Sequence, residues 1–461
     1  MDDAGIWSLV PPVVAIALAL LTREIVLSLL AAILSGAIVH VALAGGGILR
    51  VFKLCPDLLA EKMSANMSMV IFLCLLGALV SVVTRAGGAK AYGDWAYRRL
   101  SSERAANLMT IVMGIIIFID DYFNCLTVGT VMRPVTDRFK ISRAKLAYFI
   151  DTTAAPICIL APVSSWAAYV ISCLPEEMRD QGLVMYLKAA PLNFYAVLSV
   201  IMVLYIAIKP GHDFGLMKRM ERTAHRHRDV GAEVVMREAL EAVPVSENGH
   251  IVDLVAPIVV LIGFSAWLLT RYEAGDALAL AAFLSLLFAF CFLVPRKVID
   301  YHQFAAAFLY GIKTMVPALV LLALAWGISA VCTDLLGTGR YIASSIVKIG
   351  VPIGLLPTAL FVFAAVFAFT TGASWGAIGI LVPIGMTVSA ATNPNLTVVV
   401  LAATLAGSVM GDHCSPISDT TILSSAGAQC KHMNHVMTQV PYAMLAGALS
   451  LALYLVIGFC L

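Results

Sequence analysis

Gly411-Asp412-His413-Cys414-Ser415-Pro416-Ile417-Ser418-Asp419-Thr420-Thr421-Ile422-Leu423-Ser424-Ser425 is a run of acids, hydroxyls and one proline. Apolar chain surrounds it. A run of this kind within residues 396–425 predicts a membrane span broken near its middle. Unwound backbone at membrane depth is tolerated only when it is buried in protein or lines a watery cavity. Proline permits the break, and hydroxyls can bond the backbone groups it frees.

Three further patches of this type appear on moving outward. Asp151-Thr152-Thr153-Ala154-Ala155-Pro156, followed by Ser164-Ser165, interrupts residues 146–171. Asp120-Asp121-Tyr122-Phe123-Asn124 interrupts residues 107–132, and Thr370-Thr371-Gly372-Ala373-Ser374-Trp375-Gly376 interrupts residues 352–391. The last two patches read as tips of re-entrant hairpins.

The remaining sequence sets the class. Of the 461 residues, 61% are hydrophobic and 13% charged, against about 25% charged in soluble domains. Apolar blocks of about 20 residues suffice to cross a hydrocarbon core of about 30 Å. The alternating pattern of an outer-membrane barrel is absent. The expectation is an all-α polytopic membrane protein. Asp2 and Asp3, without a basic start, speak against a cleaved signal peptide. Ten scattered cysteines with no CxxC pair read as small buried hydrophobes. His413 beside Cys414 lacks further ligands at zinc spacing. A net charge of +2 without a basic run gives no reason to expect nucleic acid. Gly45-Gly46-Gly47 lacks the Lys-Ser/Thr of a phosphate loop, and neither GxSxG nor HExxH occurs. Neither an enzyme, a cofactor nor an ATPase subunit is expected.

The halves resemble one another. Ser8-Leu9-Val10-Pro11-Pro12 matches Asp253-Leu254-Val255-Ala256-Pro257. Gly87-Gly88-Ala89-Lys90-Ala91-Tyr92 matches Gly337-Thr338-Gly339-Arg340-Tyr341, and Asp151 with Pro156-Ile157 matches Asp412 with Pro416-Ile417. Spans over 7–21, 25–44, 67–84, 146–171 and 192–208 make five in residues 1–208, with one hairpin near 107–132. Spans over 251–270, 277–294, 314–332, 396–425 and 436–461 make five in residues 251–461, with a hairpin near 352–391. Residues 209–250 form a polar linker with room for an amphipathic helix. Ten spans plus two re-entrant hairpins, with an odd number of spans per half, predict an inverted-topology repeat. Basic residues in 85–104, 133–145, 209–237 and Arg296-Lys297 share one side, which the positive-inside rule makes cytoplasmic. Residues 176–180, 273–276 and 392–395 then lie outside, as do both termini.

The chemistry follows from the patches. They hold Asp120, Asp121, Asp151, Asp412 and Asp419 and no Lys or Arg, which favours a cationic cargo. Aspartate within an apolar span is expensive, so function is its default reading. Asn124, Thr152, Thr153, Ser164, Ser165, Thr371, Ser374, Ser415, Ser418 and Thr420 are candidate neutral ligands or backbone caps. Asp419 suits either a ligand or the cap of the second half-helix. Free carbonyls at half-helix ends hold Na+, and a desolvated carboxylate holds a proton more readily than one in water. One site that takes either a cation or protons is the minimal chemistry of an antiporter. The proposed Na+ (or Li+) ligands are Asp151, Asp412, Asn124 and Ser415.

The motif at 411–425, with Asp120-Asp121-Tyr122-Phe123-Asn124 and Ser374-Trp375-Gly376, resembles the NhaC-type Na+/H+ antiporter family. The resemblance covers both halves. It implies a scaffold domain, a moving transport domain, an elevator-like mechanism, a homodimer and a place in the lipid bilayer of a bacterial inner (plasma) membrane. It implies a cargo less firmly, because such families include Na+/H+ exchangers, malate/lactate exchangers and amino-acid carriers. The leading expectation is exchange of Na+ (or Li+) for H+. The rival is an ion-coupled carrier of a small organic solute, whose carboxylate would rest near Ser164-Ser165 and Ser374. A passive channel fits two mid-membrane breaks poorly.

Overall fold

Leu29, Ile33, Ala37 and Val41 lie buried along Ile25–Leu43, while Leu27, Leu30, Leu34 and Ile38 on the same helix are exposed. A helix apolar on both faces needs an apolar solvent on the outer one. The computed structural model describes residues 4–22, 24–226, 246–268, 271–272, 274–349, 352–416 and 418–461. Among these, nine helices are long and apolar enough to cross a membrane. Eleven result if each of two pairs bent by 49° counts as one span. The chain is an all-helical, multi-pass membrane protein.

The first half contains α1 (Val10–Thr22), α2 (Ile25–Leu43), α3 (Ile48–Ala65), α4 (Met67–Arg85), α5 (Gly88–Arg99), α6 (Glu103–Ile116) and α7 (Asp121–Arg138). It continues with α8 (Arg143–Thr153), α9 (Ala155–Leu160), α10 (Ser165–Cys173), α11 (Glu176–Arg179), α12 (Gly182–Ala189), α13 (Phe194–Ile208) and α14 (Gly215–Arg226). Then come α15 (Ile251–Leu268), α16 (Ala274–Leu293), α17 (Tyr301–Ala330), α18 (Thr338–Ile349), α19 (Leu356–Thr371), α20 (Ser374–Thr392), α21 (Thr397–Cys414), α22 (Asp419–Ala428) and α23 (His432–Cys460). The predicted linker helix is α14; residues 227–245 of the linker lie outside the described residues.

Hydropathy alone placed a span at 314–332, yet α17 starts at Tyr301. Asp300 and Gln303 form a capping box there: Asp300 Oδ1 accepts from Gln303 N (2.7 Å) and Gln303 Oε1 from Asp300 N (3.1 Å). Two reciprocal cap bonds start the helix well before the apolar run.

One packing group has α4 against α16 and α17, with α2 and α3 also on α17. In another, α21 packs on α19, α20 and α23, and α22 packs on α7 and α8. Two contacts join the halves in a reciprocal way. Gly88, at the start of α5, abuts Leu254 so closely that a Cβ would meet its backbone nitrogen. Thr338, at the start of α18, donates to Ser8 O (2.8 Å). Gly87 and Gly337, just before these helices, both adopt positive φ (79° and 64°), a conformation open to glycine at little cost.

Lys145, at the start of α8, is fully buried. Its Nζ lies 3.0 Å from Asp213, 3.5 Å from Glu221 of α14 and 3.8 Å from Glu103 of α6. Glu221 also accepts from Ser142 N (2.8 Å). One buried cation therefore neutralises an excess of acids. Burial pushes the Glu221 carboxyl up, against the pull of Lys145. Removing Lys145 leaves buried carboxylates uncompensated. Lys145→Met should cost about 3–5 kcal/mol, read as a lower unfolding temperature in detergent. A carboxyl whose folded pKa exceeds its unfolded value favours the folded state at low pH, and that support is lost as pH rises through the folded pKa. The deficit of Lys145→Met should therefore shrink at about pH 5 and grow at about pH 8; a pH-independent deficit would refute this account.

Candidate functional site

Prolines set where the first broken span bends. Pro156 sits in the first turn of α9, after a break at Ala154. Pro162 then stops α9 at Leu160, since the residue before proline avoids the helical region. Ser164 restarts the helix: its Oγ accepts from Ala167 N (3.1 Å) and donates to Cys158 O (2.7 Å). In the second broken span, α21 ends at Cys414, two residues before Pro416. Ser418 caps α22, its Oγ accepting from Thr421 N (3.4 Å). The cap weighed for Asp419 is thus supplied by Ser418.

The hairpin tips clasp these breaks. Asn124 Nδ2 lies within hydrogen-bonding distance of Gly114 O (2.7 Å), Thr153 O (2.9 Å) and Ile117 O (3.1 Å), which share its two N–H groups. Ser165 N donates to Ile119 O (3.0 Å). At the other tip, Gly372 takes positive φ (69°) to end α19, and Ser374 Oγ donates to Ser408 O (3.0 Å). Tyr169 OH donates to Trp375 O (2.7 Å), and the Trp375 ring lies 4.4 Å from Tyr169 and 5.7 Å from Trp166 between centroids. Trp375 thus packs against both rings.

Asp151 stands at the meeting of both breaks and is fully buried. Its Oδ2 accepts from Gln439 Nε2 (2.6 Å), His435 Nε2 (3.2 Å) and Thr421 Oγ1 (3.3 Å). His413 Nε2 lies 3.0 Å from Asp151 O and 3.8 Å from its Oδ1. A carbonyl only accepts, so Nε2 of neutral His413 carries the hydrogen and Nδ1 accepts from Tyr195 OH (3.0 Å). Gln439 also donates to His413 O (2.8 Å), a carbonyl freed near the end of α21. Asp412 Oδ2 accepts from Thr420 Oγ1 (3.3 Å), whose oxygen lies 3.0 Å from Ser418 Oγ. Consecutive residues Thr420 and Thr421 thus hold the two aspartates of the two halves.

The acids form one neighbourhood. The charges of Asp120 and Asp412 act on Asp121. Those of Asp151 and Asp419 act on Asp412, as do the Ser418 and Ser374 hydroxyls. Asp120, Asp121, Asp412 and Asn124 are all buried, whereas Asp419 is exposed and accepts from Tyr122 OH (3.2 Å). Among the described residues, the ion-pair partners of Asp151 are the imidazoles of His413 and His435.

The remaining candidates divide. Thr153 Oγ1 donates back to Phe149 O (2.8 Å), closing its own helix turn. Thr152, Ser165 and Ser415 are buried beside the breaks. The Thr371 side chain lies outside the described residues. His435, Gln439 and Tyr195 escaped sequence reasoning. The signal for the first two is an i,i+4 polar pair on one face of α23, just before Pro441.

Asn124 emerges as a clamp on three carbonyls. Asn124→Asp sets a carboxylate against them, whereas Asn124→Ala only vacates the place. The clamp predicts that Asn124→Asp unfolds at a lower temperature than Asn124→Ala, with Ala costing about 1–3 kcal/mol. Equal stability of Asp and Asn at this position would show a ligand instead of a clamp.

Known proteins show matching patterns. An uncharacterized protein of Haemophilus influenzae is 36% identical over 487 residues, covering 99% of this chain and 92% of its own. An uncharacterized Na(+)/H(+) antiporter of the same organism is 35% identical over 104 residues, 23% of this chain and 22% of its own. The arginine/ornithine antiporter ArcD of Halobacterium salinarum is 35% identical over 111 residues, again 23% and 22%. The fold resembles the Alcanivorax borkumensis YdaH transporter, with a TM-score of 0.50 at 14% identity over 89% of each chain. The Na+/H+ antiporter family profile matches residues 157–459, a range holding the second break, the second hairpin and the His435–Gln439 face. The chain belongs to the Na+/H+ antiporter family.

Proposed function

We propose that the protein exchanges Na+ (or Li+) for H+ across the membrane, as a member of the NhaC type. The observation that carries this reading is the gathering of Asp120, Asp121, Asp151 and Asp412, all buried, where two broken spans and two hairpin tips meet. Acids held close together away from water cannot all remain charged without a cation or protons among them. Na+ and H+ then compete for the same oxygens, and that competition couples their fluxes.

Alternating access follows from an inverted repeat of residues 1–208 and 251–461. Two reciprocal contacts support it: the start of α5 packs on Leu254, and the start of α18 bonds Ser8. Exchange of equivalent contacts between two halves is what a pseudo-twofold axis produces. The group around α4, α16 and α17 serves as scaffold. The hairpins, broken spans, α13 and α23 move against it as an elevator, in a homodimer within a bacterial inner membrane.

A second reading has one observation in its favour. The ring group of Trp166, Tyr169 and Trp375 lies beside the site, and a relative matching part of the chain is an arginine/ornithine antiporter. Aromatic faces with carboxylates also suit an organic cation.

Reconstituted liposomes with an imposed pH gradient separate the two. Proton release on adding Na+ or Li+ alone supports inorganic exchange. A response that requires arginine, ornithine or another organic solute moves the cargo to the second reading. Asp412→Asn and Asp121→Asn should each lower Na+-driven proton flux by about 100-fold or more, with folded protein recovered normally. Full activity in Asp412→Asn would remove that carboxylate from the exchange.

A further inference from the structure

Lys62 lies near the end of α3 with its side chain only 10% exposed. Its ammonium is shared. Nζ stands 2.6 Å from Glu176 Oε1, at the start of α11, and 3.0 Å from Asp334 Oδ2, just beyond α17. Those two carboxylates are 58% and 47% exposed. A shielded ammonium needs a counter-charge beside it, whereas a wetted carboxylate can be left to water.

The three groups belong to different parts of the fold. Lys62 sits on α3, which packs on α17, and residues 331–335, which hold Asp334, pack on α17 and α2. Glu176 follows α10, the last piece of the first broken span. Arg179 fastens Glu176 to that piece. Its Nε donates to Leu174 O (3.0 Å) and its Nη2 to Ser172 O (3.0 Å), so α11 is tied back onto the end of α10. The same guanidinium reaches across to Asn66 Oδ1 (2.9 Å), and Asn66 Nδ2 donates to Lys62 O (2.7 Å). From α17, Trp326 Nε1 donates to Ser172 O (3.1 Å).

The two carboxylates therefore part company whenever α10 shifts against α3 and α17. Glu176 leaves with α10, and Asp334 stays beside Lys62. Without Asp334, that departure would strand a shielded ammonium. With it, the ammonium stays compensated, and water takes up Glu176.

We propose that Lys62 is the catch of a latch on the moving broken span: Glu176 closes it, and Asp334 holds the ammonium while it is open. The inference rests on the elevator reading above and requires no particular cargo. It gives two carboxylates on one lysine opposite effects on opening.

Cys173, the last residue of α10 and 2% exposed, reports the latch. A maleimide reaches its thiol when the end of α10 lifts. The test follows labelling of Cys173, located by peptide mass, in detergent-solubilised wild type, Glu176→Gln, Asp334→Asn and Lys62→Met. Glu176→Gln should label about fivefold faster than wild type, as expected for one lost ion pair with an exposed partner. Asp334→Asn should label about fivefold slower or less, because opening then leaves the ammonium alone. Lys62→Met removes the catch and should label at least as fast as Glu176→Gln. A carboxylate that only steadied the fold would speed labelling when neutralised, so labelling of Asp334→Asn at or above the wild-type rate overturns the proposal. If Asp334→Asn yields no folded protein, the other two variants decide, and labelling of either at or below the wild-type rate overturns it. Na+-driven proton flux keeps the two readings apart. A wild type that ignores Na+ and Li+ sinks the exchange reading, while opposite signs at Cys173 still uphold the latch. Normal flux beside equal signs sinks the latch alone.

Discussion

Backbone freed inside a membrane has no water to bond, and the structure is organised around meeting that demand. Each chain break is closed by a side chain or backbone from another element. Asn124 caps carbonyls at its own hairpin tip and at Thr153 of the first break. Ser374 ties the second tip to α21, and Tyr169 ties it to α10. Gln439 caps the carbonyl of His413. His432 Nε2 meets the carbonyl of Pro416 (2.6 Å). Because each bond crosses between elements, satisfying the breaks also fixes them against one another. The acids are brought together by this need, since they sit at the same breaks.

The two matched aspartates come to rest in unlike surroundings. One oxygen of Asp151 takes three donors, from Gln439, His435 and Thr421. Asp412 is held by the Thr420 hydroxyl, near the hydroxyls of Ser418 and Ser374. Amide and imidazole donors hold a carboxylate in one orientation, whereas hydroxyls turn to donate or to accept as their partner changes. A site built from both kinds keeps a fixed wall and an adaptable one. This unlike pairing qualifies a sign argument drawn from sequence. The four patches hold His413 as their one potential cation, but the assembled site adds His435 from a helix that carries no patch.

The spans, tips and breaks were legible because each departs from an apolar background. Proline and glycine mark the turns, and aspartate in an apolar run has few structural uses. The start of α17 was less legible: hydropathy ignores caps, and Asp300 with Gln303 is read only by asking where backbone donors go. Asn124 could not be assigned from sequence, since a cap and a ligand draw on the same amide. His435 and Gln439 are harder still. Each is one uncharged residue in an intact helix, without a break to announce it. Only the fold shows that their shared face meets Asp151, 284 and 288 positions away in the chain.

Ion pairs at two places differ in how far burial reaches both partners. At the start of α8, Lys145 and its partner Asp213 are almost wholly shielded, at 0% and 2% exposure. Parting them would strand charges in a dry interior at a cost of several kcal/mol. After α10, Glu176 meets Lys62 of α3 at 2.6 Å but is 58% exposed, and Arg179 donates to Asn66 Oδ1 at 2.9 Å. Lys62 is itself only 10% exposed and also lies 3.0 Å from Asp334, which is 47% exposed, so one buried ammonium there is shared between two carboxylates that water reaches. Opening the α10–α11 turn from the α3–α4 junction would hydrate Glu176 but leave the Lys62 ammonium shielded and dependent on Asp334. Around Lys145 the cation and Asp213 are both dry. The contacts of Lys145 with Asp213 and Glu221 therefore hold α8 to α14 more firmly than Lys62 holds its partners, because around Lys62 only the cation is shielded.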